Sequence, residues 1–253
     1  MRNKKLLKNL TISLLSVLTM LVIWSLSSAI INSEYILPSV WQTLVAMANL
    51  FGESKFYLAL LMTLLRSLIA FAVSFTLGFA LSLLAVKNDS VQRFIAPIIS
   101  VMRALPTIAI VLLLLFWTKN SDVTSIVVTM LIVFPTVYTG LKNSLNSVDW
   151  QVVEMARAFN VSNKEIFKKI KLPSILPPTL SVIGSNLSLN LKLMVAAEVL
   201  SVAVRSLGNL LNHASYNGEI STMMGIVFVV VIIGVAIESV FEHLAKKVGA
   251  FND

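Results

Sequence analysis

The chain has 253 residues, of which 57% are hydrophobic and 13% charged, and its mean hydropathy is +0.88. This apolar share exceeds that of a soluble globular domain and indicates an integral membrane protein. The absence of cysteine excludes disulfides and thiolate catalysis, and the net charge of +8 is interpreted as basic cytoplasmic loops rather than as a nucleic-acid-binding surface.

Six stretches predict transmembrane helices, because a span needs about 20 mostly apolar residues. The first follows basic residues and ends in S-L-S-S-A, as a secretory signal would, but its apolar run is too long for a signal core and predicts a retained helix. Pro97 and Pro106 interrupt the third stretch and predict a short interfacial piece followed by a kinked span. The six stretches are residues 10–31, 57–86, 95–117, 123–141, 176–198 and 221–245.

The run L-P-S-V-W-Q-T-L-V-A-M-A-N-L-F-G follows the first span. Trp41, Leu44, Val45 and Ala48 recur in it at helical spacing, which predicts an amphipathic helix on the outer surface of the membrane. Residues 1–56 are therefore expected to form an N-terminal unit of one transmembrane helix and this external segment.

The distribution of basic residues predicts the orientation. If the N-terminus is cytoplasmic, most of the 20 Lys and Arg residues fall in cytoplasmic segments. The opposite side receives Lys55, Lys119 and Arg205. This bias predicts that both termini are cytoplasmic.

A charged segment of residues 149–173 separates the fourth and fifth spans, and its signals predict two short helices. Asp149 is expected to cap the first helix, which ends near Phe159. Ser162 and Glu165 form an S-x-x-E capping pattern for the second, and Pro173 is expected to end it. The last turn of that helix would contain three lysines that complement the helix dipole: Lys168, Lys169 and Lys171.

Such short helices are marginal in water and need a surface to pack against. Glu154, Arg157 and Lys164 stay available to a polar partner. From the pattern alone, a loop that rests on lipid headgroups is an equal alternative. The apolar sides of the two helices are Val152, Val153 and Ala156, and Ile166, Phe167 and Ile170.

The same segment resembles the EAA loop of ABC importer permeases, whose pattern is E-A-A, three residues, G, nine residues and I-x-L-P. Met155 stands where alanine is usual. Asn160 stands where glycine is usual, and asparagine also tolerates a left-handed backbone. The matching residues are Glu154, Met155, Ala156, Arg157, Asn160, Ile170, Leu172 and Pro173.

Further runs, among them M-R-A-L-P-T-I-A-I and L-K-L-M-V-A-A-E-V-L-S, are similar to permeases of the nitrate, sulfonate and taurine importer family. The resemblance implies an all-α integral membrane protein of the type I (MetI-like) permease fold. It would have six transmembrane helices, a permease core at residues 57–250 and a cytoplasmic coupling-helix loop at 149–173. It also implies a cell-membrane location, a second permease copy as a homodimer, an extracytoplasmic substrate-binding protein and ATPase subunits that hold ATP and Mg.

In that family the loop sits in a groove of the ATPase. The resemblance therefore implies that Glu154 and Arg157 make polar contacts there, that Ala156 permits close packing and that Asn160 sets the angle between the helices. The solute would be a nitrate-, sulfonate- or taurine-like anion or a related small organic compound.

Ionisable residues within spans are candidates for function because their burial is costly. Arg66 is interpreted as a structural anchor rather than a ligand contact, and Pro106 as structural. Asn186 and Asn190 lie on nearly the opposite face of the fifth span from a polar stripe. The stripe and the acid that follows it are candidates for the translocation path: Ser181, Ser185, Ser188, Lys192 and Glu198. Close packing, snorkelling of Lys192 and bracing of the outer loop by Glu198 are the structural alternatives.

His213 and His243 are the only histidines, and they have no metal-binding spacing. No phosphate-binding loop or cluster of catalytic residues occurs, so the chain is not expected to be an enzyme or to bind a cofactor. The leading hypothesis is an ABC importer permease. The alternatives are a methionine-type or vitamin-precursor permease, a secondary transporter without an ATPase, and a membrane-embedded enzyme.

Overall fold

The computed structural model describes the backbone of residues 2–249 and the side chains of residues 11, 12 and 14–249. Within this range the regular structure is helical throughout, with one π-helical turn between α8 and α9. The helices are α1 (Arg2–Ile31), α2 (Val40–Leu50), α3 (Ser54–Lys87), α4 (Asp89–Ala104), α5 (Thr107–Thr118), α6 (Ser121–Leu145), α7 (Trp150–Ala158), α8 (Asn163–Ile166), α9 (Leu172–Ser201), α10 (Leu207–Tyr216) and α11 (Ile220–Gly249).

Five segments of the described chain are long and apolar enough to cross a membrane. The pair α4 and α5 adds a sixth span if it is counted as one, although the two helices are bent by 92°. The all-α membrane fold class is therefore confirmed. The five segments are Leu14–Ile31, Ser54–Lys87, Ser121–Ala158, Asn163–Ser201 and Ile220–Gly249.

The third predicted span is broken at one of its two prolines. Leu105 and Pro106 are extended, with ψ of 128° and 118°. Leu105 is extended because the residue before a proline avoids the helical region. Pro97 lies inside α4, so the prediction that it breaks the segment is wrong. Ile95 and Ile99 are buried on either side of it, and this packing holds the helix together despite one lost hydrogen bond.

The chain divides into two compact units, which are described separately. The first consists of Met1–Tyr57 and Leu210–Val229, and the second of Leu58–Asn209 and Val230–Asp253. The predicted domain boundary at residues 56 and 57 stays a prediction.

In the first unit, α2 begins with a capping box that the sequence reading did not identify. The Ser39 hydroxyl accepts from the backbone N–H of Gln42, and the Gln42 side chain accepts from the backbone N–H of Ser39. Trp24 of α1 donates its indole N–H to the Pro38 carbonyl at 3.0 Å and so fixes the turn before α2. The face of α2 predicted to be apolar is exposed, with Trp41 73% accessible. An exposed apolar face is typical of a helix that lies at a membrane surface.

In the second unit, α6 lies at the centre and packs along α9, and it also contacts α4 and α5. Its buried side chains include Val133, Val137 and Leu141, which meet Phe71 of α3. Gly140 allows the close approach of α9, since a Cβ there would stand 2.7 Å from a methyl group of Val182. This packing holds the charged segment of residues 149–173 at the end of α6 and the start of α9.

Candidate functional site

Residues 149–173, which we call the coupling loop after the EAA loop that they resemble, begin with α7 and a left-handed turn. Asn160 has φ of +57°. The backbone N–H of Val161 donates to the Ala156 carbonyl at 3.0 Å, and that of Asn160 donates to the Arg157 carbonyl at 2.9 Å. This is the Schellman pattern of a helix end. The prediction that Asn160 adopts the left-handed conformation is confirmed.

Side-chain caps define the start of both loop helices, as the sequence predicts. The Asp149 carboxylate accepts from the backbone N–H of Gln151 at 2.9 Å. The Ser162 hydroxyl accepts from the backbone N–H of Glu165 at 3.3 Å. The Glu165 carboxylate also pairs with Lys169 at 3.2 Å, one turn further along. These contacts are local, and they stabilise the start of each helix.

The second loop helix does not end at Pro173, so that prediction is wrong. A π-helical turn, Phe167–Lys171, joins α8 directly to α9. The backbone N–H of Leu172 bonds five residues back to the Phe167 carbonyl, and this register shift places Pro173 in the first turn of α9, where a proline is tolerated. The lysines of the π turn are therefore not at a helix end. The loop is continuous with the fifth span.

The two loop helices pack against each other through a small apolar cluster. Val148, Val153 and Ile166 are its buried members. Ala156 packs inward against this cluster rather than outward. Of the predicted apolar sides, Val152 and Phe167 are instead exposed.

The outer surface of the loop carries exposed apolar side chains beside charged ones. Glu154, Arg157 and Lys164 are exposed, as expected of residues available to a partner. Lys171 lies over the ring of Trp150, with its Nζ 4.9 Å from the ring centroid. We call the following four exposed residues the apolar patch: Trp150, Met155, Phe159 and Phe167.

A buried ion network lies in the second unit, centred on Arg66 of α3. Arg66 is 3% exposed and Glu198 of α9 is 0% exposed. The guanidinium donates to the Glu198 carboxylate at 3.0 Å, to Asp122 at the start of α6 at 2.8 Å, and to the carbonyl of Val204 at 3.0 Å. One arginine therefore joins three helices and the segment that follows α9, which favours the structural interpretation of Arg66.

The other oxygen of Glu198 is held from a second direction. Thr63 donates to it at 2.8 Å and accepts from the backbone N–H of Leu207 at 3.0 Å, while the N–H of Gly208 lies 3.4 Å from the carboxylate. A Cβ on Gly208 would stand 2.5 Å from the Cβ of Glu198, so glycine permits this approach. Glu198 thus braces the segment between α9 and α10, and it is closed off from solvent in this conformation.

The two polar sides of α9 have different surroundings. Asn190 donates to the backbone carbonyl and the hydroxyl of Ser67 at 2.7 Å, and Asn186 accepts from Thr136 at 2.6 Å. The prediction that these asparagines bond neighbouring helices is confirmed. On the other side, Ser188 is buried and faces Gly234 of α11. The remaining members of the stripe are exposed: Ser181, Ser185 and Lys192.

No cluster of three or more potential metal ligands occurs in the part of the chain that the structure describes. His213 lies in α10 and His243 in α11.

Residues 74–250 match the family model of the binding-protein-dependent transport system inner membrane component. The chain belongs to this family. It is an ABC importer permease, a multi-pass membrane subunit.

Related permeases match across most of the chain. The formylaminopyrimidine transport permease protein ThiX of Halalkalibacterium halodurans is 30% identical over 74% of this chain and 71% of its own length. The taurine transport system permease protein TauC of Escherichia coli is 24% identical over 94% of this chain and 88% of its own. The putative aliphatic sulfonates transport permease protein SsuC of Bacillus subtilis is 21% identical over 90% and 82%.

The fold of the permease is shared with a solved transporter. The inward-facing MetNI methionine ABC transporter aligns with a TM-score of 0.63 and 18% identity, covering 75% of this chain and 94% of the other. At this identity the comparison establishes the fold, and it confirms the MetI-like fold class.

Two residues of the ion network in this permease were missed by the sequence reading. Asp122 stands in the first turn of α6, where an acid ordinarily complements the helix dipole. Thr63 lies three residues before Arg66 and so shares its helix face. An acid in a first turn and a threonine one turn before an arginine also occur where their contacts are only local. Neither feature therefore predicts a contact between distant parts of the chain.

Proposed function

We propose that this permease takes up a small solute by responding to a cytoplasmic ATPase that docks on the coupling loop. Both termini are then cytoplasmic, ATP and Mg are held by the partner, and this chain performs no chemistry of its own. The complex contains two permease copies and receives solute from an extracytoplasmic binding protein. The apolar patch is the observation that carries the docking proposal.

The composition of the apolar patch favours contact with a protein partner over exposure to water. Phe159 is 77% exposed, and it lies among charged residues between the two apolar segments Ser121–Ala158 and Asn163–Ser201. Met155 and Phe159 are four residues apart and share one side of the first loop helix, and neighbouring exposed apolar side chains commonly mark protein contacts. Glu154 and Arg157 next to them supply a polar rim, which is the usual composition of such an interface.

The continuity of α8, the π turn and α9 supports coupling between the partner and the spans. An ATPase can shift the permease between two conformations only by binding them with different affinity. Because the loop is continuous with a span, displacing the loop moves the span. The two conformations of the permease then present the loop differently, and the ATPase can bind them with different affinity.

The solute proposal rests on the relatives and on one face of α9. Formylaminopyrimidine, sulfonates and taurine in the names of the relatives indicate small organic compounds, two of which carry a sulfonate group. Ser181, Ser185 and Lys192 form an exposed polar face that could line a path between two copies. Ser188 lies on the same side of α9 but is buried, and Glu198 is buried in the ion network, so neither is exposed to such a path.

The test introduces charge into the apolar patch of the reconstituted complex. Met155→Glu with Phe159→Glu is expected to weaken ATPase binding by about 30-fold or more for each residue, since interface anchors contribute about 2 kcal/mol or more each. Co-purification of the ATPase and solute-stimulated ATP hydrolysis are measured together. Tyr216→Glu is the matched control, because this side chain is 87% exposed and lies outside the loop. Unchanged binding and hydrolysis in the loop variant would refute the docking proposal.

A further inference from the structure

The chain segments that enter and leave the coupling loop are joined by side-chain contacts. Ser147, which precedes α7, donates its hydroxyl to the carbonyl of Ser174 in the first turn of α9 at 2.9 Å. Trp150 in the first turn of α7 lies beneath the ammonium of Lys171, whose Nζ is 4.9 Å from the ring centroid. The two contacts are three residues apart in each segment and run in opposite directions along the chain. The segments are therefore paired in an antiparallel register.

A missing backbone donor explains why the Ser174 carbonyl takes the hydroxyl bond. In a regular helix this carbonyl would accept from the residue four positions later, but that residue is Pro178, which has no N–H. The Ser147 hydroxyl also lies 2.7 Å from the carbonyl of Ser144. That carbonyl already accepts from the backbone N–H of Ser147 at 3.2 Å. The single hydroxyl hydrogen is therefore more useful at Ser174, where it replaces the donor that proline lacks.

Apolar packing connects the same two segments. Val148 is buried between the two polar contacts and shares a cluster with Val153 of α7. Ile170 of the π turn and Ile175 of α9 pack against this cluster. The start of α7 is thus held against the start of α9 by a hydrogen bond, an apolar contact and a cation–π contact.

This attachment gives α7 a direct route to the fifth span. Met155 and Phe159, which carry the proposed contact with the ATPase, lie on α7 and at its C-terminal end. Along the chain, α7 reaches α9 only through the left-handed turn at Asn160, the single turn of α8 and the π turn. Contacts between the start of α7 and the start of α9 bypass this longer path.

We propose that Ser147 and Lys171 are positioning residues that clamp α7 to the start of α9, so that the coupling loop and the fifth span move as one unit. The consequence for transport rests on the proposed docking of an ATPase on the loop. The clamp itself is a property of the permease alone, so the two can be tested separately.

Hydrogen exchange of the purified permease tests the clamp without a partner. Ser147→Ala with Lys171→Met removes the hydroxyl and the ammonium and leaves the apolar cluster in place. Exchange at the α7 amides is expected to rise about fivefold for each replacement and about 25-fold for the pair, as for the loss of one ordinary contact each. Ser100→Ala with Lys169→Met is the matched control. Ser100 bonds within α4 and Lys169 pairs with the preceding turn, so neither joins α7 to α9.

The reconstituted complex tests the consequence for transport. Co-purification of the ATPase and the amount of solute taken up per ATP hydrolysed are measured together. Ser147→Ala with Lys171→Met is expected to keep the ATPase bound and to lower the uptake per ATP, because α7 then moves without carrying α9 fully with it. Ser147→Thr with Lys171→Arg retains a hydroxyl and a cation, and it should restore both the exchange rates and the uptake per ATP.

Four results would overturn the clamp: unchanged exchange at α7, an equal rise in the control, unchanged uptake per ATP, and no restoration by the threonine and arginine variant. Loss of the ATPase from the alanine and methionine variant would also overturn it, because Ser147 and Lys171 would then be contacts with the partner. A wild-type permease that retains no ATPase would instead refute the proposed docking. The exchange measurement on the isolated permease would still decide whether the clamp exists.

Discussion

Replacing Glu198 with glutamine removes one charge from the buried ion network and keeps the shape of the side chain. Arg66 cannot lose its own charge and is only 3% exposed, so it is left with one carboxylate partner. Breaking a buried ion pair from one side costs about 3 to 5 kcal/mol. Asp122 and the Val204 carbonyl remain bonded to Arg66, so we expect the lower end, about 3 kcal/mol.

The measurement is thermal and denaturant unfolding of the purified permease in mild detergent. A loss of about 3 kcal/mol corresponds to a decrease in Tm of about 6 to 12 °C for a chain of this size. Asp122→Asn is the matched control, since its side chain is 50% exposed and screened by solvent. It is expected to cost no more than about 1 kcal/mol.

A double-mutant cycle tests the pairing itself. Arg66→Met combined with Glu198→Gln should cost less than the sum of the two single replacements, by about 1 kcal/mol or more. Each single replacement already removes the charge pair, so the sum counts the loss of that pair twice. If Glu198→Gln and Asp122→Asn cost the same, or if the single effects simply add, the reasoning about burial of this pair is wrong.

Two further predictions concern the coupling loop and the orientation of the chain. Asn160→Val should lower the stability of the loop by about 1 to 2 kcal/mol because φ is +57°, whereas Asn160→Gly should not; hydrogen exchange at α7 measures the difference, and equal exchange in both variants would contradict it. The chain has no cysteine, so single-cysteine variants give a clean test of orientation. In intact cells Lys164→Cys should be protected from an impermeant maleimide and Asn217→Cys should be labelled, and the reverse pattern would invert the proposed topology.

Local signals account for the parts of the loop that could be predicted. Asp149 and Ser162 cap helices through hydrogen bonds to residues two or three positions away, and such bonds depend on little beyond the nearby sequence. Asn160 likewise follows from the need for a left-handed residue after α7. The π turn was missed because a shift of hydrogen-bond register leaves no distinct sequence pattern, and Pro173 was therefore assigned to a helix end.

The ion network could not be predicted because its partners are far apart in the chain. Arg66 and Glu198 are separated by 132 positions, and the sequence identifies each only as a costly charge within a span. Periodicity placed Ser188 on the polar stripe of α9, but its burial depends on Gly234 of another helix. Helical spacing assigns a residue to a side of its own helix and does not identify the neighbour on that side.

The coupling loop and the ion network lie near opposite ends of one continuous helical segment. This segment, Asn163–Ser201, has 39 residues and a length of about 58 Å. Glu198 is in its last turn, where Arg66 and Thr63 attach it to α3, while the π turn joins its other end to the loop. Because the far end is held by a buried charge pair that is costly to break, displacement of the loop would tilt the segment about the network rather than slide it along its axis. The exposed polar face of α9 between the two ends would move most where it is closest to the loop, so Ser181 would move further than Lys192.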